Sequence, residues 1–238
     1  MKLKRFINII TFVIILSLII FNINYVNIDG KYYNKDTKEI SVHSFNDKDI
    51  KKINRCTKIE TIYIVGASKN SVSKFSNFHN LSDLIIMRSN ISSLDSEKIS
   101  TFQNLKDLFI TYYTTIDFKG FKNNTISSIK LFLSEITNLE SLSECSMLKH
   151  LSIFNSIISD NYIIKEDNKY VMKDSSVFAS FDYIEELWIS VDKIEDISGI
   201  LEMDSLKEFK IDKGTLSEGD KKLLEDKGIS VIYYDKNE

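Results

Sequence analysis

A six-residue phrase, apolar-x-x-apolar-x-apolar, returns nine times along the chain, about 22 residues apart. It opens at Thr37-Lys-Glu-Ile40-Ser-Val42 and starts again at Ile59, Leu81, Leu105, Ile126, Leu148, Ile184, Leu206 and Ile229. Successive starts differ by 22, 22, 24, 21, 22, 36, 22 and 23 residues. A repeat of this size marks a solenoid, whose units are too small to bury a core alone and must stack on their neighbours.

The fourth and sixth positions of each phrase alternate with polar or variable ones, so each phrase reads as a short strand with one buried face. The apolar residues that follow, such as Ile136, Leu139 and Leu142 or Ile194, Ile197 and Ile200, suit turns and short helices packed back on the strand. The expected fold class is therefore α/β. It is a solenoid over residues 37–238 with a curved parallel sheet on its concave side and short helices and turns on its convex side. Strands would pair about 4.8 Å apart.

Alternation sends the third, fifth and seventh positions outward. The fifth reads Tyr63, Ile85, Phe109, Lys130, Ser152, Trp188 and Lys210; the seventh reads Val65, Met87, Thr111, Phe132, Phe154, Ser190 and Asp212. Tyr63, Ile85, Met87, Phe109, Phe132, Phe154 and Trp188, with Lys130 among them, thus form a largely apolar patch on a face that should meet solvent. A contiguous patch of this kind marks an interface, and aromatic residues are the usual anchors. The third position reads Thr61, Asp83, Asp107, Ser128, His150, Glu186 and Glu208, an acidic rim. A fold of the chain over the sheet would bury the same side chains, and β-propensity also enriches aromatics in strands.

The stretch from Ile136-Thr-Asn-Leu139-Glu-Ser-Leu142 to Leu148-Lys-His-Leu151-Ser-Ile153 resembles the bacterial leucine-rich repeat family, in particular the internalins with their repeat of roughly 22 residues. Ile194-Glu-Asp-Ile197-Ser-Gly-Ile200 echoes it two repeats later. The resemblance implies a leucine-rich repeat architecture for about 200 of the 238 residues. One position departs from the family, which places Asn or Cys ninth in the repeat to satisfy backbone groups. This chain has Ala67, Ser89, Tyr113, Ser134, Ser156, Asp192 and Gly214 there. Serine and aspartate can take over part of that hydrogen bonding.

Solenoid ends need caps. Asp29-Gly30 between strand-like residues predicts a hairpin within residues 24–36. A short helix should follow up to Ile53, with Ser44, Asn46 or Asp47 as its N-cap. At the far end Leu216 to Gly228 reads as a helix closed by glycine, ahead of a last strand from Ile229 to Tyr234. The 36-residue spacing holds an insertion near residues 160–176, with a hairpin expected around Asp167-Asn168. It is either a protruding contact element or a surface insertion packed on the convex side. Cys56 and Cys145 both fall 19 residues after their repeat starts, four repeats apart. That separation, about 19 Å at strand spacing, is too wide for a disulfide, so two buried reduced thiols are expected.

Ahead of the solenoid, a basic tail of residues 1–5 precedes an uncharged apolar run over residues 6–23. As a helix the run would extend roughly 27 Å, close to the hydrocarbon thickness. Basic residues before it predict a cytoplasmic N-terminus and an extracellular solenoid on a single-pass anchor. A cleaved signal peptide wants small residues at its site, and the first alanine is Ala67. Cleavage and secretion remain the alternative.

Beyond the tail the chain carries 28 basic against 34 acidic residues. That balance is poor for nucleic acid, which needs clustered Lys and Arg. The histidines, His43, His79 and His150, sit in different repeats without metal-ligand spacing, and no phosphate-cradling glycine loop or nucleophile motif is present. No cofactor, metal or small-molecule substrate is expected. The sequence reads as a non-enzymatic, membrane-anchored protein that binds a protein partner through its concave face. The alternative is a structural protein whose face mediates self-association or docking to a membrane complex.

Overall fold

Nine five-residue strands follow the nine phrases. The computed structural model describes residues 2–43, 47–66, 78–88, 99–112 and 115–235. Its elements begin with helix α1 (Lys2–Asn24), the hairpin strands β1 (Tyr25–Ile28) and β2 (Lys31–Asn34), β3 (Glu39–His43) and α2 (Asp47–Ile53). There follow β4 (Thr61–Val65), β5 (Asp83–Met87), β6 (Asp107–Thr111), β7 (Thr115–Asp117), β8 (Ser128–Phe132) and β9 (Glu135–Thr137). Then come β10 (His150–Phe154), β11 (Ile157–Ile158), β12 (Ile163–Glu166), β13 (Lys169–Met172), β14 (Glu186–Ser190) and β15 (Lys193–Ile194). The chain closes with α3 (Ser198–Glu202), β16 (Glu208–Asp212), α4 (Glu218–Asp226) and β17 (Ser230–Tyr234). Short 3-10 helices lie at Leu139–Glu144 and Ser176–Ser180.

One parallel sheet runs β3-β4-β5-β6-β8-β10-β14-β16-β17. Its register carries Ile40 onto Ile62, Leu84, Leu108, Ile129, Leu151, Leu187 and Phe209 in turn. These residues, and those two positions on, from Val42 to Ile211, are at most 1% exposed. Each such side chain stabilises by about 1.5–3 kcal/mol through removal from water, and each contacts the units on either side.

The ninth copy departs from the expected register. Phe209 pairs with Val231 and Ile211 with Tyr233, so the unit begins at Gly228 and the spacing stays at 22. Ile232 and Tyr234, expected inward, sit on the outward rows. The cause lies in the cap of α4. Gly228, at φ +87°, reverses the chain, and the Ile229 amide returns to the Leu224 carbonyl at 2.9 Å. Ile229 is buried as the apolar contact of the helix end, so it resembles a phrase opener although the unit begins one residue earlier.

The convex side differs from expectation as well. Besides short helices it carries a second sheet, ordered β7-β9-β11-β12-β13-β15. Each of its strands turns a residue such as Ile116, Ile136, Ile158 or Ile194 into the shared core. The insertion forms the expected hairpin, with Asp167 and Asn168 both at positive φ as a primed two-residue turn requires. Its strands β12 and β13 fill the gap between β11 and β15, and Ile163 and Met172 are fully buried. The extra residues therefore extend the second sheet and do not lie over the nine-stranded one.

The N-terminal hairpin turns at Asp29 and Gly30 and meets the free edge of β3. The Asp29 carboxylate accepts from the His43 amide at 2.9 Å, and the Tyr33 hydroxyl donates to the Ser41 carbonyl at 2.8 Å. Side chains thus occupy backbone groups that an edge strand would otherwise leave open. The cap candidates Ser44 and Asn46 lie outside the described residues. Helix α1 continues into the hairpin through stacking of Phe21 on Tyr25 at 4.7 Å and a bond from the Lys35 amide to the Asn24 carbonyl. Its side chains are described from Ile10 onward, and among the described residues no helix is long and apolar enough to cross a membrane.

Ser134 and Ser156 perform the turn bonding expected of the ninth repeat position. Ser156 Oγ accepts from the Ser134 amide at 3.1 Å and donates to the Phe154 carbonyl, while Ser134 Oγ donates to the Phe132 carbonyl. The Asp192 carboxylate accepts from the Tyr170 amide at 2.7 Å. Ala67, Ser89 and Tyr113 lie outside the described residues. Cys56 and Cys145 are free and buried, and burial pushes both thiols up from their ordinary range.

Candidate interaction face

Register and alternation together decide what the nine-stranded sheet shows on its open side. Tyr63, Ile85, Phe109, Lys130, Ser152, Trp188, Lys210 and Ile232 form one continuous row across the strands. Met87, Thr111, Phe132, Phe154 and Ser190 form the row beside it. All eight residues expected at the interface lie on this face. Lys130 is exposed, and the seven apolar ones are half-buried.

The half-burial comes from ring-to-ring packing. Phe109 meets Phe132 at 5.2 Å between centroids, and Phe132 stacks on Phe154 at 4.0 Å. Phe154 meets the edge of Trp188 at 4.6 Å, and Trp188 stacks on Tyr234 at 4.3 Å. Five rings thus make an unbroken ladder from β6 to β17. Such pairs contribute about 0.5–1.5 kcal/mol each beyond their area, which holds the rings in fixed positions before any partner arrives. Trp188 spans β16 to reach Tyr234, and its Nε1 is buried without an acceptor among the described residues. Sequence reasoning missed Tyr234 and Ile232. The signal was available: a constant 22-residue step from Leu206 points to Gly228.

The acidic rim is partly neutralised from within. Lys210, its side chain only 14% exposed, sits 2.6 Å from Glu186 and 3.4 Å from Glu208. Burial alone would lower its pKa, but those two carboxylates raise it above the ordinary lysine value. His150 Nδ1 lies 3.5 Å from Glu186. By contrast, neither Asp107 nor Lys130 has an ion pair among the described residues, so a carboxylate and an ammonium on adjacent strands are left without a charged partner there.

A cavity of about 440 Å³ opens between these groups, in the middle of the ladder. Phe132, Phe154 and Trp188 wall it, Lys130 and Asp107 reach its mouth, and Ser128 and Ser152 form part of its lining. Its existence follows from residue size. Ser152 occupies the row between Lys130 and Trp188, where a large side chain would close the gap. Sequence reasoning placed Ser152 in the apolar fifth row and Ser128 on the acidic rim, and did not find the gap they leave.

No family model matches the sequence, and none of the curated proteins matches it. Among solved structures, internalin C2 from Listeria monocytogenes is similar at 15% identity with a TM-score of 0.53, covering 86% of this chain and 86% of that one. An internalin F structure from the same organism gives 14% identity and a TM-score of 0.48, over 85% of this chain and 62% of that one. With its parallel sheet and repeated units, the chain has the α/β leucine-rich repeat fold of the internalins.

Proposed function

We propose that the protein is a non-enzymatic leucine-rich repeat module that binds a protein partner through the open face of its nine-stranded sheet. The observation that carries this reading is the five-ring ladder. It is preorganised and apolar, and the insertion that might have covered it is built into the opposite sheet. Rigid aromatic anchors lose little conformational entropy on binding, and a central aromatic cluster is the usual energetic core of an interface.

The module is held at a membrane with its repeats on the extracellular side. Supporting this are the uncharged run over residues 6–23, the basic residues before it, and α1 itself. Ile14, Leu18, Ile19 and Ile23 are among the side chains that α1 exposes around its circumference. A uniformly apolar helix needs lipid or protein around it.

The full chain in detergent micelles tests the face. Phe109→Asp and Phe132→Asp should abolish capture of a partner while leaving the circular dichroism of the protein unchanged. Dimerisation of the wild type that these variants remove would assign the face to self-association instead. Variants that alter neither behaviour would exclude the face. Recovery of the intact N-terminus in the membrane fraction tests the anchor, and a mature chain starting near residue 25 would contradict it.

A further inference from the structure

The cavity in the ladder has a chemistry distinct from the rings around it. Ser152 and Ser128 are only 4% and 8% exposed, and both line the cavity. Neither hydroxyl has a hydrogen-bond partner among the described residues. Both hydroxyls reach solvent only through the cavity they line, so an acceptor placed there can replace the water they would otherwise meet. Lys130 supplies an unpaired ammonium at the same opening. The neighbouring acids do not serve it. Glu186 is engaged by Lys210 and His150, and Asp107 on the adjacent strand is more than 4.0 Å from any lysine among the described residues.

Two free hydroxyls and a free ammonium converge as a donor set for a carboxylate. The aromatic wall beside them suits an apolar side chain. A volume of about 440 Å³ is of pocket size. It is too small to admit a helix about 10–12 Å across. We propose that this cavity receives an Asp or Glu of the partner polypeptide, its carboxylate bound by Lys130, Ser128 and Ser152, with an adjacent aromatic or aliphatic residue laid on Phe132, Phe154 and Trp188. Asp107, at the mouth, takes a backbone amide donor from the same segment. The site rests on the reading of the open face as a protein interface and specifies what that face selects.

The test is a library of random segments displayed within a fixed scaffold loop and selected on the full chain in micelles, with Phe132→Asp as the companion target. The expected result is enrichment of segments with Asp or Glu beside an aromatic or aliphatic residue. Lys130→Glu and Ser152→Phe should each weaken those segments at least tenfold, while Lys130→Arg retains them. Enriched segments that need Phe132 but carry no acid, or that bind Lys130→Glu and Ser152→Phe as well as the wild type, would overturn the carboxylate site and leave the interface standing. Segments that bind wild type and Phe132→Asp alike, or no enrichment, would overturn the interface and the site together.

Discussion

The turn after β4, β5, β6, β8 and β10 asks one residue to enter the left-handed region, and the chain meets this demand unevenly. Gly66 and Asn155 suit it, whereas Arg88, Tyr112 and Leu133 occupy it at φ +48°, +70° and +49°. A side chain with a Cβ is strained there by about 1–2 kcal/mol. Glycine removes the strain and returns part of the gain through a freer unfolded chain. Leu133→Gly should therefore raise stability by about 0.5 kcal/mol in denaturant titration, whereas Asn155→Ala should lower it by about 1 kcal/mol. A second residue-scale prediction concerns Asp196. Burial would raise its pKa, but the amides and hydroxyls of Ser175 and Ser198 donate to its carboxylate and hold the value below the usual range. A lowered folded-state pKa stabilises above the unfolded value of about 3.9 and is lost as pH falls through the folded value. The wild type should lose stability below about pH 5, and Asp196→Asn should flatten that fall while being less stable at neutral pH.

Between elements, one close backbone approach lies on the convex side. A Cβ on Gly199 would sit 2.0 Å from the Ser175 carbonyl oxygen, so α3 packs on the turn at Ser176–Ser180 only because residue 199 has no side chain. Ser175 Oγ also accepts from the Gly199 amide and donates to Asp196, joining consecutive units. Gly199→Ala should cost about 3 kcal/mol, at the upper end of overpacking penalties, and lower the melting temperature by several degrees. Eight of the nine strands of the main sheet were legible because each repeats the same buried pair, as in Leu151 and Ile153. The second sheet was not. Its strands are two to four residues long, and a single inward residue such as Ile158 cannot distinguish a strand from a turn. The slip at β17 had another cause: Ile229 is apolar and buried like a phrase opener, yet it belongs to the helix cap.

At the scale of the whole molecule, the strand repeat separates two kinds of surface. Insertion, short helices and second sheet gather on one side, while the other presents rings in register and a cavity lined by small residues. The rows of rings were legible in the sequence, since alternation alone places Phe109, Phe132 and Trp188 on one face. Which charges on that face stay free was not, because it depends on Lys210 reaching Glu186 and Glu208 across strands. The most direct measurement is site-specific photocrosslinking in cells producing the full chain, with a photoreactive residue at Lys130 on the open face or at Lys222 on α4, both exposed. A discrete covalent adduct with a protein from position 130, and none from position 222, is the predicted result. No adduct from position 130, or adducts equal at both positions, would contradict the claim that the open face is where this protein meets its partner.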